Sequence, residues 1–342
     1  MKRILFLLLL TSVISAQDGK LTFEGETHIS NVRQLTFGGE NAEAYLSFDE
    51  KKLVYQSTHG GLKCDQIFTM NLDGSEKTIV SSGQGRTTCA YYLPGDTKII
   101  YASTHASDAF CPKPPDMSKG YVWKLYPSFE LFIADADGQN VKQVTNNDKY
   151  DAEATVSPKG DKIVFTSMRD GDPELYLMDI DGSNQTRLTY EKGYDGGAFF
   201  SHDGKQIVFR ASRPKTEKDM ADYNDLVVNE LVRPTALEIY TMDFETKAVK
   251  QVTSFGKASF APYFHPDGKR IIFCSNVNSK DPRNFDLYII NTDGTGLEQV
   301  TYNSTFDGFP MFTSDGKKLV FASNRNNNKS NDTNIFIADW TK

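Results

Sequence analysis

The chain has 342 residues, with 45 acidic against 38 basic side chains and a formal net charge of −7. Such a surface is a poor partner for nucleic acid, whose phosphates are bound through clustered Lys and Arg. The length permits two ordinary domains or one large repeat-built domain, so internal repetition decides the organisation. At the start, Met1-Lys2-Arg3, the apolar run 4–10 and the small residues Ser15 and Ala16 have the layout of a secretory signal peptide, cut after Ala16. That run is too short for a permanent span, and no later stretch is continuously apolar for about 18 residues. The residue directly after the cleavage point is Gln17 and not Cys, so no lipid anchor is indicated. The expectation is a periplasmic or secreted protein without a transmembrane anchor, in which residues 17–30 are a lead-in.

From residue 31 onward one phrase recurs, clearest as YDAEATVSPKGDKIVFTSMRDGDPELYLMDIDGSNQTRLT. Later copies begin YDGGAFFSHDGKQIVFRASR, SFAPYFHPDGKRIIFCSN and FDGFPMFTSDGKKLVFASNR, and two looser ones lie upstream, which makes six. Each holds four short β-rich runs separated by turn signals such as Asp203-Gly204 and Asp293-Gly294, where Gly accepts a positive φ and Asp bonds to nearby amides. Helix periodicity is weak, so the chain reads as all-β.

The copies close at Thr36, Val80, Thr145, Thr189, Thr253 and Thr301, at the spacing of a four-stranded propeller blade except for two longer intervals. Those intervals are insertions near 106–129 and 214–236, both between second and third strands, the second with a short helical pattern around 221–231. The final copy lacks a fourth strand, while 31–36 is a fourth strand without a blade. If the early strand completes the last blade, residues 31–342 form one closed six-bladed β-propeller with no exposed sheet edge. A linear β-solenoid is the structural competitor.

The phrase carried by Ser157 to Arg169, Glu174 to Ser183 and Leu188-Thr189 resembles the WD-like repeats of the TolB family over nearly the whole mature chain. The resemblance implies a periplasmic, protein-binding propeller. TolB proteins also carry an amino-terminal α/β domain through which they engage an inner-membrane partner; this chain reads as a lone propeller without it. Similar repeats occur in propellers that guard prolyl-oligopeptidase-like peptidases and in some carbohydrate lyases, and fold likeness does not choose among them.

In such blades the links before the first strand and after the second share a face. Registering the copies places Asn41, Thr87, Asp151, Asp195, Ser259 and Asp307 just before the innermost strand, where they are expected to line the channel mouth. His59, His105, Arg169, Arg213, Val277 and Arg325 end the second strands on the same face, and the polar ones among them join the candidate ligand ring. The functional reading is a polar pocket for a peptide, a sugar or a metal ion. The plainer one is repeat grammar, with Asp bonding to its own loop and Arg pairing with it. Both insertions emerge here too, and Tyr121, Trp123 and Tyr126 are the aromatic candidates for recognition.

Export permits a disulfide. Cys64 with Cys111 is the first choice, since both follow second strands, and Cys64 with Cys89 is the second; Cys274 reads as a buried free thiol. A metal site of these thiols with His59 and His105 is the alternative, but no Cys-x-x-Cys or close His pair supports it. No Gly-x-Ser-x-Gly, His-Glu-x-x-His or P-loop occurs, and His28, His202 and His265 fall away from the expected site. The expectation is therefore a monomeric, non-enzymatic binding scaffold of the bacterial envelope for a protein or peptide partner, with no catalytic residues, no metal and no cofactor. The competing reading is a propeller associated with peptide or glycan cleavage, with Asp151 and Asp195 as its carboxylates.

Overall fold

The computed structural model describes residues 21–327, 329 and 332–341; the expected signal peptide, 1–16, lies outside them. In the third repeat, Asp151–Val156, Lys162–Ser167, Glu174–Asp179 and Thr186–Arg187 pair in chain order as one antiparallel sheet. The second strand reads as a continuous apolar run because both its faces are covered: Ile163, Val164 and Phe165 are all fully buried. One face meets the preceding blade and the other the next, where Val164 and Leu175 pack with Ile207 and Phe209 of the fourth blade. Each such side chain contributes about 1.5–3 kcal/mol through burial, which is why repeats that cannot fold singly are stable when stacked.

Among the described residues there are six such four-stranded sheets and one two-stranded ribbon. Five blades are contiguous in sequence. The sixth takes three strands from the carboxyl end, Asp307–Phe312, Lys318–Ser323 and Asn334–Trp340, and its outer strand, Ile29–Gln34, from the amino end. Ile29 lies opposite Trp340 and Gln34 opposite Phe336. The Leu35 amide donates to Ile335 O at 2.8 Å, and the Ile335 amide donates to the Thr36 hydroxyl at 2.8 Å. The wheel is closed as the sequence indicates, and no sheet edge is left between first and last blades.

The Thr36 contact is one of six equivalent staples. In blades two to five Thr145, Thr189, Thr253 and Thr301 each accept an amide of the third strand, at 2.8 to 2.9 Å. Thr145 and Thr253 donate to Glu130 and Glu238. In the first blade the equivalent residue is Ser81, whose hydroxyl accepts from the Ile67 amide at 2.9 Å and donates to Gln66 at 2.8 Å. This corrects the assignment of Val80 to that column by one residue, because register follows the hydroxyl and not the apolar residue before it.

The lead-in is tied down by charge. Arg325, fully buried, donates to Leu21 O at 2.8 Å, to Glu26 at 3.0 Å and to Asp307 at 2.8 Å.

Candidate functional site

Every innermost strand has the same defect. Between its second and fifth residues the register slips, so that two residues oppose one on the neighbouring strand, the signature of a β-bulge. The third residue takes a left-handed conformation in all six blades: φ is 52° at Glu43, 52° at Cys89, 60° at Glu153, 59° at Gly197, 50° at Ala261 and 52° at Phe309. Left-handed backbone is unusual for side chains of this kind. Here it turns these six positions to the propeller axis, and all six line one cavity of about 400 Å³.

The roof comes from the two insertions. Trp123 and Lys124 pair with Val232 and Leu231 across the channel mouth. Behind this ribbon stands the helix Glu217–Val228, started by a capping box of Thr216 and Asp219. Val122, Leu226 and Leu231 make a small apolar core of their own. The lid therefore has its own packing and hangs Tyr121, Trp123 and Tyr126 on the cavity wall. The floor is a belt of rings: Tyr45 meets Phe199 at 5.2 Å and Tyr91 at 5.7 Å, and Phe199 meets Tyr263 at 5.5 Å. A second cavity of about 210 Å³ lies beyond them and shares Thr155 and Phe199 with the first.

Charge enters this aromatic chamber at few points. Arg210 is 9% exposed. It forms an ion pair with Glu153, donates to the Tyr194 hydroxyl at 2.8 Å, and lies 5.4 Å from the Trp123 ring centre. Glu153 also accepts from the Gly197 amide at 2.9 Å and the Thr166 hydroxyl at 2.7 Å. Burial pushes the Glu43 carboxyl up to about 7; a Cys89 hydrogen bond opposes the shift and the charge of Glu153 adds to it. Glu43 keeps some exposed area because it faces the cavity, yet it lies deep enough for desolvation to dominate. Burial also raises Cys89, which keeps it a thiol. At the rim, Arg86 faces Asp65 at 3.6 Å and Lys124 binds Glu230 at 2.7 Å.

The polar ring expected at the channel mouth sits elsewhere. Asn41 is 1% exposed and Thr87, Asp151, Asp195, Ser259 and Asp307 are 0% exposed; none lines the cavity. Each is bonded within or beside its own blade, although one carboxylate oxygen of Asp151 and one of Asp195 stay buried without a partner. Asp151 accepts from Arg169 at 2.8 Å, Asp195 from Arg213 at 2.6 Å, Asp307 from Arg325 at 2.8 Å and Asn41 from Ser57 at 2.7 Å. Ser259 meets Ser275 at 2.9 Å, and Thr87 donates to Asp65 O at 3.2 Å. The bulge is the cause: it hands the channel wall to the third residue and leaves the first inside the sheet. His59 is exposed in a short turn, and His105 is held by Ser103 at 2.7 Å against Phe132; neither reaches the cavity.

Glu43, Glu153, Arg210 and Gln56 were not singled out from sequence. A signal existed two columns along: the third residues of the innermost strands, and the fifth of the second strands, Gln56, Ala102, Thr166, Arg210, Cys274 and Ala322. These columns are mostly small or apolar, and the charged departures are the site.

Cys64 and Cys111 form a disulfide, tying the first insertion to the loop of blade one, while Cys89 and Cys274 are free. No cluster of three or more His, Cys, Asp or Glu among the described residues is placed to hold a metal ion. No described helix is long and apolar enough to cross a membrane.

Residues 115–231 and 231–330 match the model of the TolB beta propeller domain. The chain belongs to the TolB propeller family. TolB from Acinetobacter baumannii superposes with a TM-score of 0.58 at 19% identity, over 90% of this chain and 65% of that one. A putative TolB from Agrobacterium tumefaciens gives 0.59 at 17% identity, over 91% and 97%. Oligogalacturonate lyase from Vibrio parahaemolyticus gives 0.52 at 14% identity, over 90% and 93%. This TolB-family chain thus spans under two thirds of the Acinetobacter protein, and at these identities the likeness is one of fold. No curated protein matches it.

Proposed function

We propose that this TolB-family propeller is an exported binding module of the bacterial envelope that takes a short segment of a partner protein into its lidded cavity. The observation that carries the reading is the lid. Two insertions from different blades, far apart in sequence, pair over an aromatic chamber at the propeller axis and present Tyr121, Trp123 and Tyr126 to it. Long loops on a rigid scaffold commonly carry recognition, and aromatic anchors dominate such surfaces. The chamber admits a chain end or one or two side chains, not a folded surface. Cross-linked capture from envelope extracts with the intact chain and with Trp123→Ala tests it: partner recovery falls with the variant, and undiminished recovery refutes the cavity as the site.

A second reading, cleavage of a glycan or peptide, is favoured by one observation. Glu43 holds its proton to about 7 and Glu153 is ion-paired with Arg210, and two carboxylates in unlike surroundings can divide acid and base roles. Turnover of an oligosaccharide or peptide that is lost in both Glu43→Gln and Glu153→Gln supports it; no turnover across the panel removes it.

A further inference from the structure

The charges of the cavity wall do not balance. Arg210 is matched by Glu153, Arg86 by Asp65 and Lys124 by Glu230. Glu43 has no ion-pair partner among the described residues; its contact is the Cys89 thiol. The other elements around it do not supply one. Blade three contributes Glu153, blade four contributes Arg210 already engaged, blades five and six contribute Phe260, Ala261, Phe306 and Phe309, and Asp65 stands in the loop of its own blade. A carboxylate in aromatic surroundings must take either a proton or a cation, because an unpaired buried charge is costly.

A second group at the site is also left open. Arg210 Nε is buried and has no acceptor, although Nη2 of the same guanidinium is used by both Glu153 and Tyr194. The chamber thus lacks a cation at Glu43 and an acceptor oxygen at Arg210 Nε; Arg86 Nε, at the rim 3.6 Å from Asp65, has no acceptor either. The lid adds ring faces, which attract ammonium groups and accept their alkyl stems.

Building on the binding reading above, we propose that the chamber receives a primary ammonium group of a partner polypeptide, seated on Glu43, with a carbonyl oxygen of the same segment on Arg210 Nε. The ammonium belongs to a lysine side chain or to a chain amino terminus. Binding requires the Glu43 carboxylate, so a cation displaces its proton and affinity depends on pH. A lysine ammonium stays charged to about pH 10 and a chain amino terminus to about pH 8, so the profile below neutrality reports the carboxylate alone.

The test uses the intact mature chain and isothermal titration between pH 5 and 9. The probes are butylamine, the peptide amide Gly-Ala-Ala with its amino terminus free or acetylated, and acetyl-Ala-Lys-Ala-amide with its lysine free or acetylated. Free-amine probes are expected to bind at least about tenfold more tightly than their acetylated forms. Their affinity rises about tenfold per pH unit up to about 7 and then levels for butylamine and the lysine peptide, while for the peptide amino terminus it falls again above about pH 8. Glu43→Gln, checked for native circular dichroism, loses the amine preference at about pH 7, where both amines are charged; whichever free peptide binds more tightly at that pH identifies the source. Equal binding of free and acetylated probes, absence of binding at every pH, or an unchanged preference in Glu43→Gln overturns the proposal. Should that variant not fold, the pH profile of the unaltered chain decides. Partner capture that depends on Trp123 but ignores amine acetylation overturns this inference and leaves the binding reading standing.

Discussion

A Cβ built on Gly197 would stand 1.9 Å from Nη1 of Arg210. The blade that sends a guanidinium to the channel axis is thus the one whose innermost strand carries glycine at the facing bulge, where φ is 59°. Glycine makes the room, and arginine uses it to reach Glu153 from the neighbouring blade.

Gly197→Ala is therefore expected to displace Arg210 and to destabilise the fold by about 1–3 kcal/mol, from left-handed backbone and the lost ion pair together. In an Arg210→Ala background the same change should cost less, since the clash is gone. Denaturant unfolding of the four proteins in a double-mutant cycle measures the coupling; equal costs in both backgrounds refute the fit.

The raised titration of Glu43 has a stability consequence of fixed sign. Its carboxyl titrates near 4.5 ordinarily and at about 7 in the folded chain. Between those values the folded protein holds a proton that the unfolded chain releases, so this group's contribution falls as pH rises to 7 and is constant above. Glu43→Gln should match the unaltered chain near pH 4 and exceed it at pH 8 by up to about 3 kcal/mol, less where the cavity is wet. Melting curves at the two pH values decide it, and a variant less stable at pH 8 contradicts the assignment.

Arg325 joins the lead-in to the closing blade through Glu26 and Asp307. Replacing it with Met leaves two buried carboxylates without their cation, at a cost of about 3–5 kcal/mol. The lead-in should also become open to proteolysis near residues 21–27. An unchanged melting temperature together with unchanged protease resistance would show the buried pairs to be dispensable.

The Cys64–Cys111 disulfide spans 47 positions of sequence. On chain-entropy grounds its removal in a Cys64→Ser, Cys111→Ser variant costs up to about 4 kcal/mol. Because the bond anchors the first insertion, partner capture through Trp123 should weaken along with thermal stability. A variant that melts earlier yet captures its partner undiminished would separate the disulfide from the lid.

Some features of this protein needed only the order of its residues. Six copies of one strand pattern, an unfinished last copy and an orphan early strand lead to a closed wheel, because a sheet with an open edge has an alternative that the chain itself supplies in 29–34. The places of the insertions follow from spacing alone, and Tyr121, Trp123 and Tyr126, picked out from their loop, do stand on the cavity wall. What stands inside the channel could not be read the same way. Side-chain alternation along a strand has period two, and a bulge breaks that period in every innermost strand. Asp151 and Asp195, which counting from the strand start puts on the wall, are therefore buried in the blades, and Glu43 and Glu153 take their place. The lid is a product of closure: Trp123 and Val232 meet across the channel mouth only because the ring brings two blades into fixed positions. Repetition and chain order set the frame, while the local slip of register and the contacts between distant insertions, both properties of the folded ring, decided which side chains face the cavity.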